Sequence, residues 1–243
     1  MSRVLPILFN TDMVRAILDG RKTVTRRLVK VPPYYPHFYK LHDNTDGALS
    51  GTMDRLYAGF YKDEQIFYID GEKHVDGVYY QAPYQPGDIL YVRETWNTYC
   101  EGCASKNLES VLGATCSHAC GENGNGYYYK ATDKNHVRWR PSIHMPKEAA
   151  RIWLKVTDVR VERLQECGKC WCLDIEKEGI VTPQNPILYI NDDAFHDALR
   201  EEFQKLWNST IKKSDLDRYG WDANPWVWVI EFERCEKPDV RCE

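Results

Sequence analysis

The stretch Ala16-Ile17-Leu18-Asp19-Gly20-Arg21-Lys22-Thr23-Val24-Thr25-Arg26-Arg27 decides the fold. Its first part closes a helix over Thr11 to Leu18. Met13, Ile17 and Leu18 recur there at helical spacing, and Thr11 or Asp12 supplies the cap. Gly20 stands where a C-terminal cap glycine belongs. From Lys22 to Val29 the composition turns β-branched and reads as a strand. A short helix, a glycine and a basic strand therefore follow one another near the start of the chain.

Working outward, Pro32 to Pro36 breaks the strand. Residues 31–80 show turn residues, scattered tyrosines and little periodicity, and read as an insertion of loops and short strands. Pro86-Gly87-Asp88 marks a turn, and Ile89 to Glu94 follows as a strand. Residues 97–126 hold a cysteine cluster and end in a glycine-rich loop. Tyr127 to Ala131 reads as a short strand and Met145 to Ala150 as a helical turn. Ile152 to Leu164 reads as a long strand, with Ile152, Leu154 and Val156 inward and a bend near Asp158. Leu173 to Gly179 reads as a short helix. Asp193 to Trp207 is the clearest helix, with Phe195, Leu199, Phe203 and Leu206 on one stripe. Pro225 to Glu233 reads as a strand whose bulky residues on both faces suit a closed or covered sheet. Strands outnumber helices, so an α+β fold built on a small mixed barrel with peripheral helices is expected. The 243 residues suit one domain, 1–243, with insertions at about 31–80 and 97–126.

The net charge of −4 and pI near 6.0 argue against a broad grip on duplex DNA. The charge is uneven, however. Between Arg15 and Lys30, six basic residues stand against Asp19 alone. Between Arg138 and Arg163, seven basic residues stand against Glu148, Asp158 and Glu162. These are either solvated surface charge or a basic patch around one site. No run of apolar residues is long enough for a transmembrane helix. The apolar start, Met1 to Asn10, lacks a signal-peptide cleavage pattern. A cytoplasmic protein with no membrane partner is expected.

The opening segment resembles that of the ASCH family, a branch of the PUA-like β-barrels that handle RNA or modified nucleosides. Pro86-Gly87-Asp88-Ile89-Leu90-Tyr91-Val92-Arg93-Glu94, the strand from Ile152 to Leu164, and Glu178-Gly179-Ile180 agree with that pattern in order. The pattern also resembles ASCH proteins carried by bacteriophages and prophages. The resemblance covers about half the chain and implies a PUA-like barrel. Some small ASCH members are amidohydrolases that deacetylate N4-acetylcytidine with a lysine, a threonine and a glutamate. By motif match these fall on Lys22, Thr25 and Glu178, while Arg21, Arg26 and Arg93 are implied substrate-binding residues. The residue types suit the chemistry. A lysine with a lowered pKa takes the proton of a threonine nucleophile, and a glutamate acts as acid or orients the leaving amine. An arginine steadies the developing oxyanion. In a regular strand, however, Lys22 and Thr25 point to opposite faces. The catalytic reading needs Lys22 in the turn after Gly20 or at a bulge.

Nine cysteines are many for this length. Cys100-x2-Cys103, followed after twelve residues by Cys116-x3-Cys120, has the spacing of a four-thiolate zinc site, with His118 as a substitute ligand. Four protein ligands would close such a site, so the zinc is structural; the other reading is free thiols. Cys167, Cys170 and Cys172 form a second cluster of at most three local ligands. No organic cofactor is expected. Tyr127, Tyr128, Tyr129 and Trp139 lie beside the second basic segment, where they either fill a core or stack single-stranded bases. Two main function classes stay open: hydrolysis of an N4-acylated cytidine, and non-catalytic binding of RNA or a modified pyrimidine nucleoside. A third is a phage protein that docks a protein partner through its zinc loop.

Overall fold

The structure, a computed structural model, describes residues 3–30, 37–42, 57–61, 67–69, 72–74, 77–99, 126–133, 138–166, 175–180 and 192–238. It is a mixed α+β fold in which strands dominate. In chain order it contains β1 (Val4–Leu8), α1 (Thr11–Leu18) and β2 (Val24–Leu28). Residues 31–80, expected as loops and short strands, contribute β3 (His37–His42), β4 (Tyr57–Tyr61), β5 (Phe67–Ile69), β6 (Glu72–His74) and β7 (Gly77–Gln81). Next come β8 (Ile89–Arg93), β9 (Trp96–Tyr99), β10 (Gly126–Tyr129) and β11 (Trp153–Arg163). Last are α2 (Asp192–Thr210), the single turn α3 (Leu216–Tyr219) and β12 (Trp226–Cys235).

The main sheet has five strands in the order β1-β8-β11-β12-β2. β1 runs parallel to β8, with Val4 opposite Ile89 and Leu8 opposite Arg93. β11 is antiparallel to β8, and β2 antiparallel to β12, with Thr25 opposite Ile230. Among the described residues no pairing joins β1 to β2, so no closed barrel is seen there. Smaller sheets are β3-β4-β7, β5-β6 and the β9-β10 pair.

The chain groups into two compact units. One comprises Met1–Arg21, Asp88–Lys155 and Glu233–Glu243. Its α1 begins at Thr11 as expected, but the cap is Asn10 rather than Thr11 or Asp12, its side chain accepting from the Met13 N–H. It ends as expected at Gly20, whose φ of +76° only a residue without a Cβ adopts cheaply. The Gly20 N–H donates to Ile17 O and the Arg21 N–H to Ala16 O, the paired bonds of a Schellman stop. The helix buries Val14, Ala16 and Ile17. Asp88, just after the Pro-Gly turn, is buried and receives the Arg3 guanidinium and backbone N–H. A cluster of Tyr91, Trp96, Met145, Ala149, Ala150 and Trp153 forms the core of this unit.

The other unit comprises Lys22–Gly87 and Val156–Phe232. Its core gathers Val24, Leu164, Ile175, Leu199, Phe203, Trp207, Trp221, Val227 and Val229. α2 extends past both expected ends and buries Leu199, Phe203 and Trp207, with Leu206 packed alongside. The Phe195 side chain lies outside the described residues. Of the expected helix over Leu173 to Gly179, the described residues 175–179 are helical at Ile175 and Glu176 and turn out at Gly179, where φ is +82°.

Candidate functional site

Lys22, Arg26 and Glu178 meet in the second unit. Lys22 precedes β2 and forms an isolated antiparallel bridge with Glu178. The turn at residues 175–179 is stitched to the start of β2, because the Thr23 and Val24 N–H groups both donate to Lys177 O. This backbone pairing brings Glu178 under the strand. The Lys22 ammonium donates to Glu178 Oε2 at 2.6 Å, to Glu178 O at 3.0 Å and to Val24 O at 2.7 Å. Arg26 Nη1 donates to the other carboxylate oxygen, Glu178 Oε1, at 3.0 Å. Lys22 and Arg26 are four residues apart, so extended backbone sends both to one side. The Arg26 guanidinium also lies over the Phe203 ring, 5.6 Å from its centre.

All three groups are at most 5% exposed. Burial holds the Lys22 ammonium below its usual pKa; the Glu178 carboxylate opposes this, and the Arg27 and Arg26 charges add to it. Burial alone would raise the Glu178 carboxyl, but the Lys22 and Arg26 charges outweigh it and hold it below the usual carboxylate range. Two cations thus share one carboxylate away from water, where holding a charge is expensive. Arg26 keeps its proton at any ordinary pH, whereas a lysine gives its proton up readily when buried. Lys22 is therefore the member that can become neutral, leaving Arg26 and Glu178 as a balanced pair. A neutral, oriented amine is a general base.

Thr25 is buried in β2, between Val24 and Arg26. Strand alternation turns its side chain away from the face of Arg26. The nearest link to the cluster is through backbone: Lys22 Nζ touches the carbonyl of Val24, the peptide that joins Val24 to Thr25. Arg21 and Arg93 belong to the first unit. Arg21 pairs with Asp19 at 3.0 Å. Arg93 donates to Ile143 O at 3.2 Å and lies over the Tyr91 ring. Cys100, Cys103, Cys116 and Cys120, with His118, lie outside the described residues, as do Cys167, Cys170 and Cys172. Cys235, in β12, is a free, half-buried thiol.

Sequence reading did not anticipate the buried ion pair of Glu94 with Arg151. Glu94, 1% exposed, receives Arg151 at both oxygens, Nε at 2.9 Å and Nη2 at 3.0 Å. The available signal was Glu94 closing an apolar strand, where a carboxylate requires a partner. No protein-family model matches this chain, and no curated protein and no solved structure matches it either.

Proposed function

We propose that this chain is an ASCH-type, PUA-like domain that recognises RNA or a modified pyrimidine nucleoside and hydrolyses the amide of an N4-acetylcytidine-like substrate. The observation that carries the reading is the buried cluster in which Lys22 touches Glu178, because burial favours the neutral amine of Lys22. In the reaction, the Lys22 amine takes the Thr25 hydroxyl proton as Thr25 Oγ1 attacks the acyl carbon. The tetrahedral intermediate collapses with cleavage of the C–N bond, and the proton on Lys22 passes to the leaving cytidine amine. Lys22 then deprotonates a water that attacks the acyl carbon; the bond from that carbon to Thr25 Oγ1 breaks, acetic acid leaves, and Lys22 returns the proton to Oγ1. Glu178 stays ionised against Arg26 and orients Lys22, which suits its lowered pKa better than the role of acid. The Thr25 side chain faces away from Lys22 along β2, so this step requires the start of β2 to turn until the Thr25 hydroxyl reaches the Lys22 amine, which touches only the Val24 carbonyl.

A second reading has one observation in its favour: the three hydrogen-bond donors of the Lys22 ammonium are all engaged. That suits a structural clip in a non-catalytic RNA- or nucleoside-binding module. The two readings separate in one assay. Purified protein is incubated with N4-acetylcytidine and the products are separated by chromatography. Cytidine released by wild type and lost in Thr25→Ala and Lys22→Ala is the expected result. Release that survives Lys22→Ala sinks the assignment of the base, and no release by wild type sinks the hydrolase.

A further inference from the structure

The Arg26 guanidinium is gripped from two sides. One edge donates to Glu178 Oε1 at 3.0 Å, and the Phe203 ring of α2 lies against it, 5.6 Å from guanidinium carbon to ring centre. Strand alternation accounts for the meeting. Val24 and Arg26 stand two residues apart on one face of β2, and Val24 shares a core with Phe203. The Arg26 side chain is 1% exposed, so water cannot solvate its charge. A ring face, negative through its quadrupole, takes over part of that role. Phe203 is itself fixed. It is 2% exposed, and Trp221 meets its ring edge-on, centres 5.7 Å apart at 87°. Trp221 is pinned in turn, its backbone N–H donating to Asn208 Oδ1 of α2 at 2.9 Å.

The seat of Arg26 matters to Lys22 because both draw on one carboxylate, Arg26 at Oε1 and Lys22 at Oε2. Burial is the main reason that Lys22 titrates below its usual range; Glu178 opposes it, and the Arg27 and Arg26 charges add to it. The groups acting on Lys22 are thus Glu178 from the turn at 175–179 and Arg26 and Arg27 from β2, while Tyr84 acts on Arg27. A guanidinium that left its seat would release Glu178 to Lys22 and repel Lys22 less. Both changes favour the Lys22 proton. We propose that Phe203 is a positioning residue for this site: its ring face seats the Arg26 guanidinium, so that Glu178 is shared and Lys22 does not have the carboxylate to itself. Through Arg26, helix α2 sets the state of Lys22. The bearing on hydrolysis rests on the function proposed above; the seat itself does not.

The test is an NMR titration of the full chain carrying isotope-labelled lysine, with the Lys22 signal identified by its loss in Lys22→Met. Wild-type Lys22 is expected to lose its proton at lower pH than the exposed lysines. Phe203→Leu is expected to move the midpoint up by about half a pH unit or more. Pentafluorophenylalanine in place of Phe203, introduced by amber suppression, keeps the ring's shape and reverses the sign of its face, and is expected to move the midpoint the same way. Leu199→Val trims the same helix in the same core and is expected to leave it unchanged. Circular dichroism verifies each fold, and the fluorinated ring decides the matter if Phe203→Leu unfolds. A midpoint unmoved by the fluorinated ring, or by a folded Phe203→Leu, overturns the proposal. So does an equal shift in Leu199→Val, or a wild-type Lys22 that keeps its proton as long as the exposed lysines. Turnover of N4-acetylcytidine is read separately. No release by wild type sinks the hydrolase, while a moved midpoint keeps the seat. Where release occurs, the rise of kcat/KM with pH is expected to shift upward in Phe203→Leu together with the midpoint, because the base is the neutral amine.

Discussion

At the scale of the residue, Glu178 has the largest consequence. Its carboxylate accepts from two buried cations, so Glu178→Gln removes a counter-charge that both use. A loss of about 3–5 kcal/mol is expected in urea unfolding. Lys22→Met keeps the aliphatic stem and leaves Arg26 and Glu178 as a balanced pair, so it is expected to cost less. The reverse order would show that Lys22, not Arg26, is the main partner of Glu178. The pH dependence has a definite sign. Glu178 titrates lower in the folded chain than its ordinary 4.5, so its contribution is complete above about 4.5 and disappears as pH falls through the lowered value. The stability difference between wild type and Glu178→Gln is therefore expected to hold from about pH 7 to about pH 5 and shrink in more acid solution. Much of this cluster was legible: Lys22, Arg26 and Glu178 all stand out in the opening motif and the Glu-Gly-Ile segment. The pairing of Arg26 with Glu178 was not, because it depends on a bridge across more than a hundred residues. Nor could sequence place Arg21 or Arg93, whose partners are an adjacent aspartate and a distant carbonyl.

At the scale of the element, two glycines test the turns. Gly87 has φ of +89° but open space where a Cβ would stand, so Gly87→Ala is expected to cost only conformational strain, about 1–2 kcal/mol. Gly220 has ordinary φ, yet an added Cβ would sit 2.5 Å from Leu216 O, the carbonyl that accepts its own N–H and closes α3. Gly220→Ala is expected to cost about 3 kcal/mol through this clash with backbone. Thermal melts rank the two, and a lower melting temperature for Gly87→Ala would show that α3 yields. The helix at Thr11, the strands at Ile89, Ile152 and Pro225, and the long helix after Asp192 were legible because periodicity and glycine placement are local. β1 was missed: five residues with a central proline give no alternation, and the strand exists by pairing with β8. The bounds of the strands among residues 31–80 were missed for the same reason.

At the scale of the whole molecule, the excess of strands over helices was legible and closure of the sheet was not, because closure is decided by which strands pair. The cysteine spacing makes a prediction that the fold does not. Elemental analysis of purified protein is expected to find about one zinc per chain, reduced in Cys103→Ser. A metal-free chain with unchanged thermal stability would assign Cys100, Cys103, Cys116 and Cys120 to free thiols. No helix among the described residues is long and apolar enough to cross a membrane. Charge distribution was more informative than net charge. The basic segment after Arg138 places Arg140 over the Trp96 ring and Arg151 over the Tyr129 ring, pairings that the sequence could not show.

The three bonds of the Lys22 ammonium make an accessibility clock. A side chain 2% exposed, with each N–H engaged, meets a small acylating reagent only when the bridge to Glu178 opens. Lys22 should therefore be among the slowest lysines to be labelled in a timed acetic anhydride experiment read by mass spectrometry. Its labelling rate at saturating reagent would report the opening rate. Any turnover in which Lys22 exchanges a proton with a bound nucleoside could proceed no faster than that opening.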